Sequence, residues 1–333
     1  MKTPEFDQAV PGFDQAVPEF DRVVTFDRVV MFDRVVMFDR VVMVDWSANN
    51  GPKSGSNSIW VAEGDASGAL GSRNYPTRHQ AHNAVLRILD GSLERGERAL
   101  IGYDFSFGYP SGFAAYFSGR ARPWERIWEH MEANVSDTDH NVSNRFQVAN
   151  DINAATAVAF YWGSPAPWPA LAPRLKQPPA GLRDNPLPTY RRTELMACAQ
   201  VKRPIRSGWQ LGNGVSVGSQ VITGLPYLQS LRRRYGRALA VWPQETGFID
   251  DPLRARPGSS VVLAEIWPTA FQPLYTGGVR DEEQVRWVVR RCFHRQRQGP
   301  GLQEWFNPAS LKGRPPRTVN SLVAEEGWIL GVY

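Results

Sequence analysis

The chain has 333 residues, 42% of them hydrophobic, and a formal net charge of +5. That is enough apolar material for one large domain or two small ones, and the mild positive balance leans toward anionic partners without establishing nucleic-acid binding. Two cysteines, Cys198 and Cys292, exclude a disulfide framework and a Cys-rich zinc site. No run approaches the ~18 apolar residues of a membrane helix, and the start lacks the pattern of a secretory signal, so a cytoplasmic protein with no membrane partner is expected.

The first 43 residues form an internal repeat. Phe-Asp-Gln-Ala-Val-Pro begins at Phe6 and Phe13, and Phe-Asp-Arg-Val-Val begins at Phe20, Phe26, Phe32 and Phe38. Only the last copy, Phe38 to Met43, runs into Val44-Asp45, which marks it as the parental unit and the others as tandem duplications. A parallel β-helix of this period needs turn residues at each corner, and Gly and Pro occur only in the first copies. Residues 1 to 37 therefore read as a poorly ordered appendage prone to aggregate, and residues 38 to 333 as the domain-forming part of the chain.

In that domain strands and helices alternate, which predicts an α/β fold. Val41 to Val44, before Asp45, is an apolar β-branched run and reads as a buried strand. Asn57 to Ala62 reads as its neighbour across the polar Asn49 to Gly55 turn. After a loop from Gly64 to Gly71, Thr77 to Glu94 carries a helical stripe of Ala81, Val85, Ile88 and Leu89, with Gly96 just beyond it. Ala99 to Tyr103, before Asp104, is a further buried strand. Eight prolines between Trp162 and Pro188 predict a long surface insertion. Gly224 to Tyr235 is expected to be helical, and Ala238 to Pro243 and Val261 to Ile266 to be strands. After Asp281, Val285, Val288, Val289, Cys292 and Phe293 fall at the core spacing of a helix. Its basic end, with Arg290, Arg291, Arg295 and Arg297, reads as a solvated face rather than a nucleic-acid groove.

Three of these strands stop on a carboxylate: Asp45, Asp104 and Glu265. Burying ionised carboxylates at strand ends is costly unless a cation compensates them, which points to a shared divalent metal.

The segments Val44-Asp45-Trp46-Ser47-Ala48, Gly102-Tyr103-Asp104-Phe105-Ser106-Phe107-Gly108, Arg191-Arg192-Thr193-Glu194, Trp209-Gln210-Leu211, Ser216-Val217-Gly218-Ser219-Gln220 and Glu265-Ile266-Trp267-Pro268 together resemble a family of uncharacterised bacterial proteins, domain of unknown function four-twenty-nine. The likeness runs from Phe38 to the C-terminus, which implies that residues 38 to 333 form a single domain. It implies a ribonuclease-H-like mixed sheet flanked by helices, interrupted here by the Pro-rich insertion. In ribonuclease-H-like nucleases an acid on the first strand, one on a later strand and one on a late helix hold two Mg²⁺ or Mn²⁺ ions. The resemblance thus implies Asp45, Asp104 and Glu265 as catalytic and metal-binding acids and Asp281 as the helix acid. Substrate contacts are expected at Ser47, Lys53, Arg192, Gln210, Ser219 and Gln220. Some relatives carry cobalamin- or molybdopterin-biosynthesis names, which no residue here supports.

Each acid has a structural rival: a turn cap for Asp45, an Asx-turn for Asp104, a salt bridge for Glu265. Asp281 with Gln284 resembles a helix capping box, and the cap is the favoured reading. The Gly212 to Gln220 stretch could hold phosphate through backbone N–H groups, with Lys202, Arg203 and Arg206 adding charge, or be a plain tight connection. It is neither a Walker loop nor a dinucleotide fingerprint. The expected function is a metal-dependent phosphodiesterase or nuclease using Mg²⁺ or Mn²⁺ on nucleic acid or a nucleotide-like phosphate ligand. Two other classes stay open: an actin-like Mg-nucleotide-binding phosphotransferase, favoured by the Gly212 to Gln220 stretch, and a catalytically silent ligand-binding protein.

Overall fold

The computed structural model describes residues 38–163, 174–175, 185–212, 217–271, 277–298 and 301–332. The expected appendage, most of the Pro-rich stretch and residues 213–216 of the Gly-rich stretch lie outside the described residues. Strand β1 (Arg40–Asp45) is built from the last repeat copy, and Val41, Val42, Met43 and Val44 are wholly buried. Burying each such side chain stabilises the fold by about 1.5–3 kcal/mol, which holds the strand against a one-residue slip. Phe38, at the head of the copy, is also buried, and its N–H donates to Gln296 Oε1.

The other strands are β2 (Ile59–Asp65), β3 (Leu70–Tyr75), β4 (Ala99–Tyr103), β5 (Leu239–Val241) and β6 (Val261–Glu265). They form one mixed sheet in the order β3-β2-β1-β4-β6-β5. β2 runs antiparallel to both of its neighbours, while β1, β4, β6 and β5 run parallel.

Helices cover both faces. They include α1 (Arg78–Glu94), α2 (Pro123–Asn134), α3 (Arg145–Thr156), α4 (Arg192–Val201), α5 (Val217–Tyr235), α6 (Pro252–Ala255), α7 (Pro268–Phe271) and α8 (Arg280–Arg297), followed by two short helices at Gln303–Phe306 and Pro316–Ser321. Period-2 alternation divides the strand side chains between two cores. Val42, Val44, Ile101, Tyr103 and Leu263 pack with α1 and α5. Val41, Met43, Leu100, Val262 and Ala264 pack with α8 through its Val285, Val288, Val289, Cys292 and Phe293.

The expected elements recur with shifted ends. Thr77 is the N-cap of α1, its hydroxyl accepting from Gln80 N–H, and Gly96 follows the helix at φ +68°. Gly64 to Gly71 is not a loop throughout, because Leu70 already begins β3. α5 starts at Val217 rather than Gly224, so Ser219 and Gln220 are helical. Gly224 lies inside that helix because a Cβ there would overlap the ring of Phe105. Among the described residues no helix is long and apolar enough to cross a membrane.

Candidate active site at the strand ends

Val44 pairs with Tyr103, and the ladder continues one step further, Asp104 N–H donating to Val44 O at 3.0 Å. Asp45 and Asp104 therefore stand side by side just past the last paired rung, on the face shared by Met43 and Gly102. Trp46 fixes this orientation from the opposite face: it is buried among Tyr103, Phe105 and Tyr227, at ring separations of 5.8, 5.9 and 5.1 Å. The next turn is clamped by Arg78, which is wholly buried. Its guanidinium makes two 2.6 Å bonds to Asp137 and donates to Ser47 O and Asn49 O at 3.1 and 3.0 Å.

The first turn of α8 lies over this strand end. Ser72 Oγ donates to Glu282 at 2.6 Å, and Asn57 N–H donates to Asp281 Oδ2. The capping expectation is corrected here: the N-cap is Val279, no side chain caps it, and Asp281 is the second helical residue. Its carboxylate binds the loop before β2 and adds negative potential at Asp45 and Asp104.

The electrostatics follow from the crowding. Burial raises the pKa of Asp45 well above the carboxylate range, the charges of Asp104 and Asp281 add to this, and Arg280 opposes it. Burial, then Glu265 and Asp281, push Asp104 up to about 7. No hydrogen bond from the described residues reaches either carboxylate. Two like charges without donors form an oxygen-only site that a hard divalent cation would relieve, so the donor chemistry fits Mg²⁺ or Mn²⁺. Among the described residues, however, no group of three or more His, Cys, Asp or Glu side chains is drawn together tightly enough to hold an ion.

Glu265 has a cationic partner of its own. Tyr103 pairs with Glu265 in the parallel ladder, so the pleat puts Glu265 on the face of Tyr103, opposite Asp45, while its charge still reaches Asp104 across the cleft they share. There Arg191 grips it with two bonds of 2.6 and 2.8 Å, and Phe107 N–H donates to it at 2.9 Å. This is the ion pair of the salt-bridge reading, and Arg191 also binds Glu194 at 2.6 Å. Burial works against the charge of Arg191, and these two carboxylates more than offset it, so its pKa is raised.

A cleft opens beside Asp104 at the carboxyl ends of β4 and β6, bordered also by Ser106, Glu194, Arg206, Gln220 and Trp267. Of the expected substrate contacts only Gln220 lines it, while its Nε2 donates to Trp46 O at 2.5 Å. Ser47 is taken up by Asn49 and Asn57 in the turn after Asp45. Ser219 is buried, donating to Leu211 O and accepting from Arg145. Arg192 pairs with Glu326, Gln210 donates to Gly212 O, and Lys53 is exposed in the turn before β2. Arg78, which holds the surroundings of Asp45, escapes a sequence reading. The one signal for Arg191 is Glu194 three residues on, its carboxylate bonded back to the Arg191 N–H as in a capping box.

No family model, no curated protein and no solved structure matches this chain.

Proposed function

We propose that this protein is a Mg²⁺- or Mn²⁺-dependent phosphodiesterase of ribonuclease-H-like type. The observation that carries the reading is the placement of Asp45 and Asp104 on adjacent strand ends. The chain leaves β1 for β2 and β3 on one side and returns to β4 on the other, so the two acids sit at the switch point where open α/β sheets bind ligands. An acid on the first strand, one on a later strand and Asp281 on a late helix also match what the family resemblance implies.

Asp45 and Asp104 would hold the cation, and the charge of Asp281 would add to their pull on it. The chemistry a bound divalent ion supplies is activation of water and stabilisation of the leaving oxygen. Arg78 and Trp46 keep the Asp45 turn in place from behind, and Arg191 neutralises Glu265 so that it does not compete for the ion.

The test is hydrolysis of bis(p-nitrophenyl) phosphate and of end-labelled oligonucleotides with Mg²⁺, with Mn²⁺ and with EDTA. Turnover that needs the metal and falls by orders of magnitude in Asp45→Asn is expected. Turnover unaffected by EDTA or by that substitution overturns the reading. Saturable ATP binding without diester hydrolysis would favour the phosphotransferase class instead.

A further inference from the structure

The cleft beside Asp104 has two kinds of wall. Phe105, Ile205, Ile266 and Trp267 give it apolar and aromatic surface, while Ser106, Gln220 and Arg206 bring polar groups to it. Glu194 and Glu265 border it as well, but Arg191 binds both. Arg206 is exposed and makes no hydrogen bond or ion pair to the described residues, so a guanidinium is left for an anion at the edge of the cleft.

We propose that this cleft receives the base of one unpaired nucleotide, with its phosphate at Asp104 and Arg206. The proposal rests on the phosphodiesterase reading for the phosphate position alone. A cavity volume of about 160 Å³ is small beside the roughly 300–1,000 Å³ of drug-sized pockets, so a single ring system fits and a helix of nucleic acid does not. A flat apolar ring with hydrogen-bonding edges suits these walls: Trp267 offers a π-face, and Ser106 and Gln220 offer polar atoms. Gln220 uses only its Nε2 on Trp46, leaving Oε1 to accept from a base amine or sugar hydroxyl. A base stacked in a duplex cannot enter a side pocket without leaving its partner. The substrate class is therefore a free nucleotide ester or an unpaired strand end.

Calorimetric titration of the full chain with Mg²⁺ present compares AMP, ribose 5-phosphate and inorganic phosphate. Competition against AMP then compares a short single strand with the same strand in a duplex. AMP binding about tenfold tighter than ribose 5-phosphate is expected, lost by about tenfold or more in Trp267→Ala and in Ile205→Trp, both checked for an unchanged far-ultraviolet spectrum. Competition by the single strand identifies a strand end; AMP binding without it identifies a free nucleotide. Equal affinity for AMP and ribose 5-phosphate, or equal competition by the duplex, overturns the proposal. Diester hydrolysis without AMP binding removes the cleft and leaves the phosphodiesterase. AMP binding without any metal-dependent hydrolysis does the reverse.

Discussion

Gln220 donates its side-chain amide to the main-chain oxygen of Trp46, so the first turn of α5 and the residue after Asp45 are joined by one hydrogen bond. The bond crosses from the cleft to the acid-bearing strand end, and Gln220 is the residue that belongs to both. Gln220→Ala is expected to weaken cleft ligands and to loosen the Asp45 turn together, seen as a higher KM and a lower kcat in the same variant. A change in KM alone would separate the two roles.

The turn has a stronger support in Arg78. Removing one partner of a buried, hydrogen-bonded pair leaves the other charge uncompensated, at about 3–5 kcal/mol. Arg78→Met is therefore expected to lower urea stability by that order, and Arg78→Lys to recover little of it, because an ammonium cannot reproduce the two-bond fork to Asp137. A loss below about 1 kcal/mol, the scale of a surface pair, would show that the cluster is not holding the turn.

Asp104 gives a pH-dependent test. Its folded-state pKa is raised to about 7, so its share of stability is full below the ordinary carboxylate range and declines as pH climbs through 7. Asp104→Asn is expected to melt above the parent protein at pH 8 and level with it near pH 4, while diester hydrolysis falls by orders of magnitude. Mg²⁺ is expected to raise the parent's melting temperature at pH 8 and chelation to reverse the gain, with little effect on the variant. A variant less stable than the parent at pH 8 contradicts the repulsion between Asp104 and its acidic neighbours.

His82 acts in the opposite direction. Burial, aided by His79 and Arg234, lowers its pKa to about 4, so the folded state favours the neutral ring. Its contribution is complete above the ordinary value near 6.5 and is lost as pH falls toward 4. His82→Leu is expected to flatten the acid limb of a stability profile between pH 7 and pH 4, on a scale of about 3 kcal/mol in the parent. An unchanged acid limb would place the titrating group elsewhere.

Gly224→Ala sets helix propensity against packing. Alanine gains about 1 kcal/mol in a helix interior, but its methyl meets the Phe105 ring, and overpacking of this kind costs about 1–3 kcal/mol. Net destabilisation is expected in chemical denaturation, with a disturbed cleft, since Phe105 is one of its walls.

β1 and β4 were legible because burial on both faces writes itself as a continuous β-branched run. β3 was not: Leu70 to Tyr75 is a half-exposed edge strand with Gly71 and Arg73, formed through its pairing with β2 rather than by its own pattern. α3 is likewise hidden, because polar Asn150 and Asn153 are buried along with Phe146, Val148 and Ile152, leaving no clean stripe. The start of α5 was masked by Gly218, Gly224 and Pro226, breakers in isolation that packing accommodates. At the site, Asp45, Asp104 and Glu265 carry the same local signature. What separates Glu265 is the register of β6 against β4, and no single strand's sequence records which face a neighbour's pleat presents.

Because the repeat period is six, an even number, a chain slipped by one copy would offer β1 the same Val, Val and Met on the same faces. Phe38 would then stand in for Val44, Asp39 for Asp45 and Arg40 for Trp46. The slipped strand would even end on an aspartate, so the acid alone cannot distinguish the two threadings. Position 46 can: the space enclosed by Tyr103, Phe105 and Tyr227 accepts an indole, and an unpaired guanidinium there would forfeit its hydration. The indole of Trp46 thus favours the native threading, and a small residue there is expected to narrow the gap between the two frames without removing the penalty on the slipped one.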